Sequence, residues 1–318
     1  MSAPTNTATT LTTKGIREDL EDTIYRVAPE KTPFTQAIGT TKVTNTFHEW
    51  QTETLDAPDA TNAQLEGDDV GTLDAENVTT RPANYAQIFR KTGGVSRTDD
   101  IVKKAGRASE MNRQKVLKGI AIRTDIEKRF IGNFASNAES GATPRHSAGL
   151  NAFLTTNVSN GAGGSNGGFS GGVVSAATPG TARTFTEALV KSVLATAFGN
   201  GAMPTQAYVG GTHKQQFSTF TGIASIRADV SNKQQAVIYA GADVYVSDFG
   251  KLTIIPHQYG MGADCLLVDP EYASVGTLDG IKTDDLAKSG DSEKFIMTAE
   301  KTLVVRNQKA HAVIRALA

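Results

Sequence analysis

Apolar and polar positions change period several times along the chain, and each change marks an element. From Gly15 to Ile38 the pattern supports one short acidic amphipathic segment, Glu18-Asp19-Leu20-Glu21-Asp22, before Pro29 and Pro33 stop any helix. Residues 42–55, KVTNTFHEWQTETL, alternate with a period of two through Val43, Phe47, Glu49 and Thr54, which predicts a strand. Pro58, Gly67 and Gly71 mark a loop, and residues 78–91, VTTRPANYAQIFRK, return to strand character. Two strands around a long polar tip describe an extended hairpin. At Ser96-Arg97-Thr98-Asp99 a serine N-cap with an acid at the third position opens a helical pattern. Its apolar positions are Ile101, Ala105, Ala108, Val116 and Ile120, then Ile122, Ile126, Phe130 and Phe134 in i,i+4 steps. A helix from about 97 to 135 would measure roughly 55–60 Å.

Periodicity then lapses. Residues 157–182, rich in Gly, Ser, Asn and Ala, read as a flexible surface loop. FTEALVKSVLATAF (185–198) is an amphipathic helix ended by Gly199-Asn200-Gly201. QAYVGG predicts a strand, THKQQFSTF a short helix, and ADVYVSDFGKLTIIP, DCLLVD and KTLVVRNQKAHAVIRAL predict strands in quick succession. The fold class is α+β, with an outstretched hairpin, one very long helix and a compact mixed domain.

Charge changes this picture locally, not globally. The chain of 318 residues carries 32 basic and 33 acidic side chains, so no whole-molecule field favours nucleic acid or a charged membrane. Between Glu49 and Glu76, however, stand Glu49, Glu53, Asp56, Asp59, Glu66, Asp68, Asp69, Asp74 and Glu76, with no Lys or Arg among them. Such a segment repels itself and cannot build a core, so it should project and be ordered by a partner. The polar face of the long helix has the opposite sign. Lys103, Lys104, Arg107, Arg113, Lys115, Lys118, Arg123, Lys128 and Arg129 face only Glu110, Asp125 and Glu127. This face is a candidate for contact with a neighbour or with DNA, although it lacks interleaved aromatics.

Composition narrows the chemistry. Aromatics make up only 7% and glycines number 31, which implies a thin aromatic core and much loop or sheet-edge backbone. The single Cys265 lies in the apolar run Cys265-Leu266-Leu267-Val268, so it forms no internal disulfide and reads as a buried, inert thiol. No apolar run approaches the ~20 residues that span a bilayer. The Thr-rich start, MSAPTNTATTLTTKG, has no apolar core and reads as a flexible arm rather than a secretory signal, in keeping with a reducing cytoplasm.

Gly168-Phe169-Ser170-Gly171-Gly172 satisfies G-x-S-x-G, with Asp269 and His311 following in hydrolase order. That motif needs a strand running into the serine and a helix leaving it, and glycines crowd both sides here. A phosphate cradle fails as well, because Asn166 stands where Gly161-Ala162-Gly163 would need its third glycine. His48-Glu49-Trp50-Gln51-Thr52 begins like a zincin helix but ends on Thr52 instead of a second ligand. His146, His213 and His257 are scattered, and the pairs Asp68-Asp69 and Asp284-Asp285 lack calcium-loop spacing. The sequence therefore predicts no catalytic residues, no cofactor and no metal. A Ser170 hydrolase and a DNA-binding structural protein acting through the basic helix stand as the rival readings.

The order of parts, and the strings ADVYVSDFGKLTIIP, CLLVDPEYASVGTLDG and GDSEKFIMTAEKTLVVRNQKAHAVIRAL, resemble the tailed-phage major capsid proteins of the Hong Kong 97 fold, in a branch found among short-tailed phages. The resemblance runs from about Gly15 onward. It implies an N-terminal arm (1–41), an E-loop (42–92) and a peripheral domain (93–184) holding the spine helix and the Gly-rich loop. An axial domain (185–290) and return strands of the peripheral domain (291–318) would complete the chain. It further implies hexamers and pentamers forming an icosahedral shell in the virion, assembled in the host bacterial cytoplasm around double-stranded DNA held non-specifically. Partners would be a portal protein and scaffolding or decoration proteins, with no membrane. No N-terminal excess is long enough for a fused scaffolding domain. Some members weld subunits through an E-loop lysine and a neighbour's asparagine. This chain has no lysine between Lys42 and Lys91, so a non-covalent shell is expected.

Overall fold

The computed structural model describes residues 26–67, 69, 71, 73, 75–106, 108–220, 244–288 and 290–318. Two sheets carry the body. The first has the strand order β1 (Gly39–Lys42), β12 (Ala273–Leu286), β13 (Ser292–Val305), β4 (Gln87–Ser96). Here β12 and β4 pair antiparallel to β13, and β1 pairs parallel to β12. Along β13, Phe295, Met297 and Ala299 alternate inward, and from Thr302 to Val305 every residue is buried. The strand thus passes from a half-covered face into the interior.

The second sheet has the order β5 (Val158–Ser159), β14 (Ala312–Ile314), β11 (Cys265–Val268), β8 (Gln206–Val209), β10 (Gly250–Pro256), β9 (Val244–Ser247). It works as a partition between two cores. Leu266, Val268, Tyr208 and Val313 enter the core shared with the long helix, while Cys265, Leu267, Ala207, Val209, Ala312 and Ile314 enter the other. A period of two sends alternate residues to opposite faces, so strands buried on both faces read as unbroken apolar runs. Helix α5 (Glu187–Gly199) covers the second core with Val190, Val193, Leu194 and Ala197, and α6 (Gly211–Phe217) adds Phe217.

The pairing divides the chain differently from the expected spans. Strand β12 lies within 185–290 yet pairs with β13 and β1 in the first sheet, and β14 lies within 291–318 yet joins the second sheet. Local patterning cannot show this, because register is set by partners distant in sequence.

The single helix expected over 97–135 is broken. A five-residue α2 (Arg97–Ile101) is capped by Ser96, whose Oγ accepts the Asp99 N–H at 3.2 Å. Val102 then turns extended and Gly106 takes a positive φ of 73°. A second cap, Ser109, starts α3 (Glu110–Ile131) by accepting the Asn112 N–H at 3.3 Å. Asp100 reaches over the break to accept the N–H groups of Glu110 at 2.8 Å and Met111 at 3.4 Å. The orphan donors of the new helix are thereby satisfied, and hydrogen bonds to Met111 and Glu110 hold the Asp100 carboxyl below its usual range. Helix α3 is about 33 Å long. It lies on β4 and buries Ile122, Ile126 and Phe130, with Phe130 edge-on to Phe89.

The expected flexible loop at 157–182 is also corrected, since it is a packed lobe. It supplies β5 to the second sheet and forms a hairpin of β6 (Gly168–Ser170) and β7 (Val173–Ser175). Gly171 and Gly172, at φ 60° and 85°, make the two-residue turn that suits strand twist. Val174 is buried, and its N–H donates to Ser136 Oγ at 2.7 Å. A Cβ at Gly161 or Gly167 would collide with the backbone of Thr181 or Ser175. Glycine density here serves close backbone approach, which composition alone cannot separate from mobility.

Candidate functional site

The predicted hairpin is rooted in the body and bare beyond it. Strand β2 (Phe47–Glu49) pairs with β3 (Ala83–Tyr85), and Thr52 bridges Thr80. Phe47 and Tyr85 stack at 4.7 Å across the ladder. Regular pairing is thus shorter than the two predicted strands, because residues 87–91 belong to β4. From residue 53 to 79 every described residue is exposed. At the base of this arm Glu49 meets Arg81 at 2.7 Å. Asp56 accepts from Asn77 Nδ2 at 2.5 Å, and Asp59 accepts the Thr61 hydroxyl at 2.6 Å and its N–H at 2.8 Å. Those bonds hold the Asp59 carboxyl below its usual range, the hydroxyl contributing most. Glu53, Glu66, Asp69 and Glu76 are exposed, while Asp68 and Asp74 lie outside the described residues. Charge-based reading missed the arm's apolar content, with Leu55 94%, Leu65 80%, Leu73 79% and Val78 81% exposed.

The basic face is smaller than predicted. Lys103 and Lys104 precede α3, and Arg107 lies outside the described residues. Lys104 pairs with Asp99 at 2.6 Å, Arg113 with Glu110 at 3.1 Å, and Lys115 with Asp285 at 2.8 Å. Arg129 donates to the carbonyls of Ser147 at 2.6 Å and Ala135 at 2.7 Å, and it stacks over Phe134. Its burial pulls the guanidinium down to about 10. Lys103, Arg123 and Lys128 are exposed and Lys118 is half-buried. The break after α2 and these internal pairings divide the expected stripe.

The hydrolase reading finds no geometry. Ser170 is exposed at the entrance of a hairpin turn, where no helix follows. Asp269 uses its carboxylate to cap a 3₁₀ turn by accepting the Glu271 N–H at 3.2 Å, and its own N–H donates to His311 Nδ1 at 3.3 Å. The carboxylate-to-imidazole bond of a triad is therefore replaced by a backbone contact. His311 is fully buried, which pulls its imidazole down to about 4, and burial pushes the Cys265 thiol up. Among the described residues no cluster of three His, Cys, Asp or Glu could hold a metal, and no helix is long and apolar enough to cross a membrane.

Two buried polar junctions escaped sequence reasoning. Arg315 is wholly buried, donating from Nε to Asn151 Oδ1 at 2.6 Å, from Nη2 to the Asn151 carbonyl at 2.6 Å, and from Nη1 to Asn160 Oδ1 at 2.9 Å. It ties the glycine lobe to the body. Glu127, counted with the polar face of the helix, is also wholly buried and serves α1 (Pro33–Ala37) and His257. Its one sequence signal was position, within the stripe of Ile126, Phe130 and Ile131.

The profile of the SU10 major capsid protein family matches residues 3–318. The major capsid protein of Escherichia phage Phieco32 is 33% identical over 113 residues, 34% of this chain and 31% of that protein, so the match spans about a third of that relative's length. Among solved structures, the cyanophage A-1(L) capsid asymmetric unit aligns with a TM-score of 0.63 at 11% identity, covering 98% of this chain and 99% of that one. The capsid of the native GTA particle aligns at 0.60 and 11%, over 95% and 96%. The holo-SrpI encapsulin complex from Synechococcus elongatus aligns at 0.53 and 10%, over 93% and 92%. At these identities the likeness is one of fold.

Proposed function

The chain belongs to the SU10 major capsid protein family and has the Hong Kong 97 fold, and from that premise we propose how it builds a shell. It is a structural subunit of a phage capsid and not an enzyme. Copies associate as hexamers and pentamers into an icosahedral shell that encloses double-stranded DNA without reading its sequence. Assembly takes place in the host bacterial cytoplasm, with a portal protein and scaffolding or decoration proteins as partners, on a phage of the short-tailed kind.

One observation carries this reading. The arm over 53–79 exposes four aliphatic side chains beside its acids, and among the described residues no surface of the same copy covers them. Burying each aliphatic side chain contributes about 1.5–3 kcal/mol, whereas an exposed ion pair contributes only ~0.2–1 kcal/mol. Apolar anchoring on a second copy therefore supplies the affinity, and the acids, facing cations such as Arg123 and Lys128, set the register. In this scheme residues 42–92 are the E-loop, the first sheet with α3 is the peripheral domain, and the second sheet is the axial domain.

Electron microscopy of purified protein tests the proposal. Polyhedral shells or capsomers are expected, and a monodisperse monomer at high concentration would defeat it. The rival DNA-binding reading loses support from the cations of α3 that are engaged internally. A steep salt dependence of subunit–DNA affinity would revive it.

A further inference from the structure

Three donors converge on the buried Glu127 carboxylate near the C-terminal end of α3. The Phe34 N–H reaches Oε1 at 2.7 Å, the Thr35 N–H reaches Oε2 at 2.8 Å, and His257 Nε2 lies 2.8 Å from Oε1. The first two open α1, and the third follows β10 of the second sheet. An ionised carboxylate only accepts, so His257 presents Nε2–H. Its other nitrogen lies 2.9 Å from the Tyr259 carbonyl and 3.2 Å from the Tyr259 amide nitrogen, which fixes the ring. Tyr259 Oη then donates to the Pro29 carbonyl at 2.6 Å.

Phe34 is a plug, fully buried and edge-on to Tyr208 at 5.6 Å. Ahead of it residues 26–31 are exposed, and an open cleft of about 1250 Å³ separates them from Arg113, Ile255 and Pro256. The segment is thus undercut; the described contacts that hold it include the Phe34 plug, the Glu127 carboxylate, the Tyr259 contact and a 3.5 Å contact from Tyr208 Oη to the Pro33 carbonyl.

We propose that Glu127 is a latch that seats residues 29–38 as a strap across the junction of α3 and the second sheet, and that the latch opens as one discrete step. The physical reason is shared dependence. If α1 lifts, the buried carboxylate loses two of its three donors, and an under-satisfied buried charge is costly. His257 then faces a buried carboxylate that has lost its backbone donors. The strap and its Tyr259 contact therefore come away together, and the Glu127–His257 link between α3 and the second sheet opens in the same event. Each subunit has two states, seated and released, a property of the isolated chain that does not depend on how copies associate.

Hydrogen exchange on the unassembled full-length chain tests this. The Phe34 and Thr35 amides should exchange through a local opening, at least about tenfold faster than the interior amides of α3 at Ile126 and Phe130. Glu127→Gln should speed those two amides by a further factor of about ten or more and expose residues 29–33 to protease, while α3 keeps its protection. His257→Leu should accelerate the same two amides, since it removes a donor from the shared carboxylate. Phe34 and Thr35 amides that exchange only with global unfolding in the native protein would overturn the latch, whether or not the variants fold. Unchanged exchange in a folded Glu127→Gln would overturn it too.

Discussion

Asn84 Nδ2 donates to the Leu303 carbonyl at 2.8 Å, joining the root of the exposed arm to the fully buried end of β13. The same amide donates to Ser147 Oγ at 3.0 Å, and its Oδ1 accepts the Ala148 N–H at 2.8 Å. A bare arm needs a fixed base if its far end is to reach a defined place, and this wholly buried side chain provides one.

Asn84→Leu should therefore lower stability by about 2–3 kcal/mol, because it leaves buried partners unsatisfied without opening a cavity. Denaturant unfolding of the unassembled subunit measures it. A loss under ~0.5 kcal/mol would show that the base is held by strand pairing alone.

On the arm, Leu65→Ser should raise the subunit concentration needed for assembly by about tenfold or more, since one buried leucine outweighs one exposed ion pair. Neutralising Glu66 and Asp69 together should have a smaller effect and should flatten the salt response, because surface charges are screened over ~8–10 Å. Light scattering across a concentration series separates the two variants. A larger effect from the charge variant would reverse the assignment of affinity to the leucines.

Mature particles boiled in detergent should run as a single band of subunit mass. Lys42 sits in β1 and Lys91 is paired with Asp125 at 2.5 Å, and no lysine lies between them to supply an amine on the arm. Ladders of covalent multimers on the gel would contradict this.

Acid should weaken the fold through His311. Burial lowers its folded pKa to about 4, against the 6.5 of an ordinary imidazole, so the unfolded chain takes up the proton first. Its contribution is intact above about pH 6.5 and is lost as pH falls toward about 4. At pH 5 the loss is about 2 kcal/mol. His311→Gln should flatten the slope between pH 7 and pH 5 in denaturant unfolding, and an unchanged slope would assign the acid sensitivity elsewhere.

Much of the architecture is legible in local pattern. The i,i+4 series Ile122, Ile126, Phe130 forms the buried face of α3, and the short apolar runs around Tyr208, Leu266 and Val313 form strands. These succeed because burial imposes the period of the element on the side chains nearest in sequence. The long helix failed at Ser109, a second N-cap whose effect depends on Asp100 bending back to meet it. The glycine lobe failed because the same residue permits mobility and permits contact, and partners distant in sequence, such as Arg315, Ser136 and β14, decide which. On the arm the acids are plain in the string, whereas the exposure of Leu55, Leu65, Leu73 and Val78 was hidden because a leucine between polar residues is usually turned inward.

The sequence by itself determined the α+β class, the acidic arm, the elements of the second sheet other than β5, and the family, since each depends on residue order and short-range period. Tertiary structure alone decided which sheet β12 and β14 join, that Glu127 serves α1 instead of facing solvent, and which cations of α3 are already engaged. Those outcomes turn on what lies across space from a side chain. A carboxylate on a helix has the same letter whether water or two backbone N–H groups and an imidazole surround it.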